Sequence, residues 1–165
     1  MKAEHRKFSV LGIILLISLI IDQWTKQLVH TKFYWGESKT IIPGFFNLTY
    51  VRNKGAAFGF LHSAPESFRE PFFLIVPFVM IGVICLVFWR LKPNQKLSQF
   101  SLSLILSGAI GNLIDRLRFG YVVDFLDFYL DAWGHYPAFN VADSCIVVGV
   151  IILSFQSFFS KESPF

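Results

Sequence analysis

Four apolar stretches, near residues 8–29, 71–89, 97–114 and 141–159, set the terms on which this chain can fold. Each is close to the roughly 20 residues that carry an α-helix across a bilayer. Inside hydrocarbon every backbone N–H and C=O must be satisfied within the segment, so stretches of this length become helices. The rest of the chain agrees with them. Of 165 residues, 54% are hydrophobic and 20 are Phe, and the mean hydropathy is +0.54, against about 45–50% apolar in ordinary soluble domains. The expected fold is an all-α membrane protein with four transmembrane helices, forming a single domain over residues 1–165.

The first stretch follows Lys2, Arg6 and Lys7, as the apolar region of a signal peptide would. It is longer than such a region, and no A-x-A-like cleavage site follows, so it reads as a retained helix. Pro71 suits the first turn of the second helix, and Pro77 should kink it. Taken together, the N-terminal arm, the Arg90–Lys96 turn and the tail hold seven Lys and Arg and two acids. Both termini are therefore expected on the cytoplasmic side. The net charge of +4 is not gathered into a groove or stripe, which argues against nucleic acid as a partner. Cys85 and Cys145 lie singly inside apolar stretches and read as small hydrophobes. Neither H-E-x-x-H nor G-x-S-x-G occurs, and no metal or cofactor is expected.

Two connections carry structure of their own. Phe46, Leu48 and Tyr50 alternate with Asn47 and Thr49, the pattern of a half-buried strand. A small outer β-sheet in the first loop, residues 30–70, is expected. In residues 124–136, Asp124, Asp127 and Asp131 share one helical face, with Phe125, Phe128, Tyr129 and Trp133 largely on another. That spacing predicts a short interfacial helix before the fourth span, either anchoring the protein at the headgroups or covering a site.

The ionisable residues converge. If the spans alternate up and down, the end of the first (Asp22, Lys26), the end of the third (Asn112, Asp115, Arg116) and the start of the fourth (Asn140, Asp143) meet at one bilayer surface. Asp124 follows the third span onto that surface. Asp22 and Lys26, four apart with the acid first, form a favourable pair. Asp115 and Arg116 read as a support pair or a cap. Gly108 and Gly111 permit close helix approach. Asn140 can cap the fourth helix, with Asp143 in its first turn complementing the dipole and expected to hold the charge. Against a purely structural Asp143 stand Asp124 on the same face and no obvious cation for either. Two carboxylates sharing a proton can activate water against an amide. The competing reading is a proton or ion translocator using Asp22, Asp115 and Asp143. Collection of these carboxylates at one face, rather than through the bilayer's depth, disfavours it.

Five ordered motifs resemble those of prolipoprotein signal peptidase, the type II signal peptidase of bacteria. They are Asp22-Gln23-Trp24-Thr25-Lys26, Asn53 to Phe58, Gly108 to Arg116, Val122 to Phe125 and Phe139 to Asp143, and they span nearly the whole chain. The resemblance implies a four-helix aspartyl endopeptidase of the bacterial inner membrane, with its site near the outer leaflet. Its substrate would be a prolipoprotein already carrying diacylglycerol, cut just before the lipidated cysteine. Asp124 and Asp143 would be the catalytic pair. Asn53, Asn112, Arg116 and Asn140 would bind substrate or hold the pair, and Asp22, Lys26, Gly55, Gly108 and Asp115 would support them. The resemblance further implies membrane lipid as a partner, no requirement for an oligomer, and a site that takes the cyclic peptide globomycin.

Overall fold

The computed structural model describes residues 2–55, 65–130 and 134–159. In chain order the elements are α1 (Lys2–Lys32), β1 (Ser38–Ile42), β2 (Phe46–Asn53), α2 (Glu66–Arg90), α3 (Lys96–Phe119), β3 (Val122–Leu130), β4 (Gly134–His135) and α4 (Val141–Phe159). All four helices are long and apolar enough to cross a membrane. The first three extend past the apolar stretches because polar turns continue them, whereas α4 coincides with its stretch. Glu66 to Glu70 add more than a turn before Pro71, so Pro71 lies inside α2 rather than in its first turn.

α3 is the axis of the bundle. In its most apolar window 56% of residues are buried, against 6–11% in the other three helices. Its sequence suits that place. Ser98, Ser101, Ser103 and Ser107 are small enough for neighbours to approach, and all are buried. Ser101 and Ser103 donate their hydroxyls to the carbonyls of Leu97 and Gln99, 2.8 and 2.6 Å away, so they add no unpaired polar group to an apolar interface. α4 runs antiparallel along α3, pinned at two glycines. A Cβ on Gly108 would collide with the Ala142 carbonyl, and one on Gly149 would lie 2.7 Å from the Ser101 carbonyl. Residues 101 and 108 thus face 149 and 142, two turns apart on both helices.

At one end of the bundle, Ile84, Phe88, Leu91, Leu102 and Leu106 form a core between α2 and α3. Lys7 closes that end. Its buried ammonium donates to the carbonyls of Trp89 and Leu91, at 2.9 and 3.0 Å, and so caps the negative end of α2. At the opposite end a four-stranded antiparallel sheet, ordered β1-β2-β3-β4, sits on the helix termini. Val29, Tyr50, Val123 and Phe125 form the core beneath it.

Among the described residues of 124–136, the expected short interfacial helix does not form. Residues 122–130 are β3, paired to β2 from Phe46↔Phe128 to Asn53↔Val122. Val122, Val123, Phe125, Phe128 and Tyr129 favour a strand, and β2 offers an open edge that needs a partner. The outer sheet therefore draws on both loops, not the first alone. In a strand, side chains alternate, so Asp124 and Asp127 point to opposite faces. Asp131 and Trp133 lie outside the described residues.

The α3–α4 seam yields a direct test. Gly149→Leu should destabilise the protein by about 2 kcal/mol or more through overpacking. Gly12→Leu, with nothing within 4 Å of its Cβ, should leave the melting temperature in detergent unchanged.

Candidate active site

The polar centre begins with a buried lysine. Lys26 on α1 lies 3.0 Å from Asp22 and 3.1 Å from Asp115, and donates to Asn112 Oδ1 at 2.9 Å. None of the three charged side chains is more than 3% exposed. The remaining acceptors are also filled. Gln23 Nε2 donates to Asp22, Asp115 and the Gly111 carbonyl, at 3.1, 3.0 and 3.2 Å. Asp22 accepts the Ala142 N–H at 2.9 Å, one of the free donors in the first turn of α4. Asp115 accepts the Val123 N–H at 3.1 Å. One cluster thus ties α1, α3, α4 and β3 together. Gly111 makes room for it, because a Cβ there would lie 2.6 Å from the Asp22 carboxylate.

The expected Asp115–Arg116 pair gives way to Asp115–Lys26. Successive residues diverge around a helix, so Asp115 turns inward while Arg116 turns away. The Arg116 guanidinium donates weakly, at 3.4 Å, to the carbonyls of Asn112 and Gly55 and lies over the Phe73 ring.

Three asparagines then hold two aspartates. Asn140 caps α4, and the cap is reciprocal. Its Oδ1 accepts the Asp143 N–H at 2.9 Å, while Asp143 accepts the Asn140 N–H at 3.2 Å. The fully buried amide of Asn140 also donates to Asp124 Oδ1 at 2.6 Å, so one side chain contacts the strand carboxylate and caps the helix carrying the other. Asn53 donates to the second Asp124 oxygen at 2.9 Å. Asn112 donates to Asp143 at 2.7 Å while its own oxygen faces Lys26. The lysine charge thereby reaches Asp143 through one amide. Asp124 is buried, and burial, then the nearby Asp143, pushes its carboxyl up to about 7. The donors Asn53 and Asn140 and the Lys26 charge oppose that rise.

Both aspartates line a cavity of about 540 Å³. Asn53, Gly55, Asn112 and Arg116 complete its polar wall. Tyr136, Pro137, Ala138 and Phe139 close another side, and Ile146, Val147 and Val148 make an apolar one. Val147 and Val148 are about half exposed, so that wall runs onto the outer face of α4. The segment 136–139 is strapped to β3. Phe139 exchanges backbone hydrogen bonds with Leu126, and Tyr136 donates to the Phe128 carbonyl at 2.8 Å.

Every site residue singled out in the sequence lies in this cluster or its cavity wall, except Gly108, which sets the α3–α4 approach behind it. Sequence reasoning missed Gln23, although its position three residues before Lys26 places it on the same helical face. It also missed the strap 136–139, for which no periodicity exists. His135, paired at 2.8 Å with Asp127 on the far side of β3, takes no part in the cavity.

The comparisons with known proteins agree with this geometry. Residues 14–159 match the family model of signal peptidase (SPase) II. The chain belongs to the signal peptidase II family. It is 50% identical to the lipoprotein signal peptidase of Geobacter metallireducens over 154 residues, 93% of this chain and 91% of that one. The lipoprotein signal peptidase of Geobacter sulfurreducens is 49% identical, with 93% and 92% covered. A bacterial membrane enzyme solved by the in meso method superposes with a TM-score of 0.81 at 33% identity, covering 93% of this chain and 92% of that one. Membership makes this signal peptidase II homologue a multi-pass membrane protease.

Removing the buried cation should be severe. Lys26→Met leaves two buried carboxylates against no cation of their own and should lower stability by about 3–5 kcal/mol. Lys54→Met breaks only an exposed 3.4 Å pair with Glu66 and should lower it by under about 1 kcal/mol. Denaturant titration of both variants in micelles checks the contrast.

Proposed function

We propose that this chain is an aspartyl endopeptidase that removes the signal peptide from diacylglyceryl-modified prolipoproteins, cutting before the lipidated cysteine. The observation that carries the reading is Asn140, which contacts Asp124 and caps the turn holding Asp143, at the polar end of a cavity whose far wall is the apolar outer face of α4. A signal peptide is itself an apolar helix, so it would enter sideways along that face, with the diacylglyceryl chains left in the bilayer. The names of the relatives supply the lipoprotein substrate.

Asp124, with a carboxyl near 7, carries the proton at rest. Asp143 is the general base. It takes a proton from a water whose oxygen attacks the scissile carbonyl carbon, while Asp124 gives its proton to the carbonyl oxygen. Asp143 then passes its proton to the leaving nitrogen as the C–N bond breaks. Asp124 recovers its own as the new carboxyl forms. The two titrations belong to the pair rather than to either residue alone. Asn53, Asn112 and Asn140 fix the two carboxyl planes, and Arg116 on the same wall faces the substrate backbone. Asp22, Lys26, Gly55, Gly108 and Asp115 support that frame. The protein would lie in the bacterial inner membrane with both termini in the cytoplasm and the site near the outer leaflet. One copy would suffice, and globomycin would occupy the same cavity.

Asp124→Asn and Asp143→Asn should each abolish cleavage of a lipidated precursor, by about 10³-fold or more, while the protein still inserts. Near-normal cleavage by either variant would remove the two-aspartate mechanism. A non-lipidated precursor should be cut poorly by the unaltered enzyme. The pH dependence has a definite sign. Asp124 must be protonated, so turnover should fall as pH rises through about 7. Stability should follow the same group. A carboxyl raised in the folded state favours folding fully below its unfolded value near 4, and that contribution is lost as pH climbs to about 7. Asp124→Asn should flatten the stability curve over that interval.

A further inference from the structure

A second cavity, of about 160 Å³, lies behind the first, where the start of α2 meets the end of α3. Lys54, Arg69 and Arg116 line it, with Glu70 and an apolar floor of Phe73 and Leu74. We propose that it binds the phosphodiester headgroup of a glycerophospholipid. Three cations face one carboxylate there, and a second carboxylate, Glu66, is shared at 3.4 Å by Lys54 and at 3.1 Å by Arg69. Glu66 is 64% exposed and can swing into water, whereas Arg69 is fixed with its side chain 10% exposed. A phosphodiester supplies the negative charge and the several acceptor oxygens that guanidinium groups match best.

The floor selects a lipid over a free anion. Phe73 and Leu74 lead down α2 to Ile75, Phe78 and Val79, which are 60%, 70% and 56% exposed. Acyl chains lying on that face would bring a headgroup to the level of the three cations. Inorganic phosphate has nothing to place there. Arg116 lines both cavities, so the headgroup would restrain the guanidinium that also faces the larger one. The inference stands on charge and shape and does not rest on the peptidase reading.

The test is binding of a short-chain phosphatidylglycerol to the full chain in detergent, read by native mass spectrometry beside diacylglycerol and inorganic phosphate. Phosphatidylglycerol should bind at least about tenfold more tightly than either, as one strong charge-assisted contact implies. The Lys54→Ala/Arg69→Ala double variant should lose that preference. Glu70→Gln, which removes a repelling charge, should bind more tightly than the unaltered protein, a gain that misfolding cannot imitate. Equal binding of diacylglycerol, equal binding of inorganic phosphate, undiminished binding by the double variant, or no gain in Glu70→Gln would each overturn the proposal.

Discussion

Everything at the sheet end of this bundle depends on one ammonium group held away from water. Lys26 pairs directly with both Asp22 and Asp115 at nearly full burial, and those two side chains then do structural work that apolar side chains cannot. Asp22 accepts a free N–H at the start of α4, and Asp115 accepts the backbone N–H where β3 begins. The helix carrying Asp143 and the strand carrying Asp124 are thereby fixed to the same two elements, α1 and α3. A buried ion pair is weak evidence for net stability, since desolvation offsets much of its attraction. Its value here is positional.

The same burial that is costly for the frame is useful for the chemistry. Asp124 is as buried as the frame carboxylates, but among the described residues it meets two amide donors and no cation in direct contact. Its carboxyl therefore retains a proton near neutral pH. Carboxylates gathered at one end of the bundle thus take different roles because their partners differ: a lysine for Asp22 and Asp115, asparagines for Asp124 and Asp143. Asparagine suits the second task because one side chain both donates and accepts. Asn140 and Asn112 each use both ends of the amide.

Much of this was legible in the sequence, and what was not has physical causes. The four helices follow from span length alone, and the convergence of Asp22, Asp115 and Asp143 follows from alternating direction. The Asn140 cap and the strand at 46–50 are local patterns and stand as read. The stretch 124–136 misled because Asp124, Asp127 and Asp131 happen to fit a helical period. The pull of β2's open edge is a tertiary effect that no short window contains. Asp115–Arg116 misled for a related reason, since adjacency in sequence is not adjacency around a helix. The reach of Lys26 beyond its own helix, and the part of Gln23, depend on how closely α1 and α3 approach at Gly111.

The central claim is a protonated Asp124 coupled to its neighbour Asp143, and infrared difference spectroscopy of the carboxylic acid C=O stretch tests it most directly. A protonated-carboxyl band should be present in the resting protein at mildly acidic pH, vanish as pH rises through about 7, and be missing from Asp124→Asn. In Asp143→Asn it should persist but titrate at lower pH, because the neighbouring charge has gone. A band that survives unchanged in Asp124→Asn, or that ignores the loss of Asp143, would contradict the account.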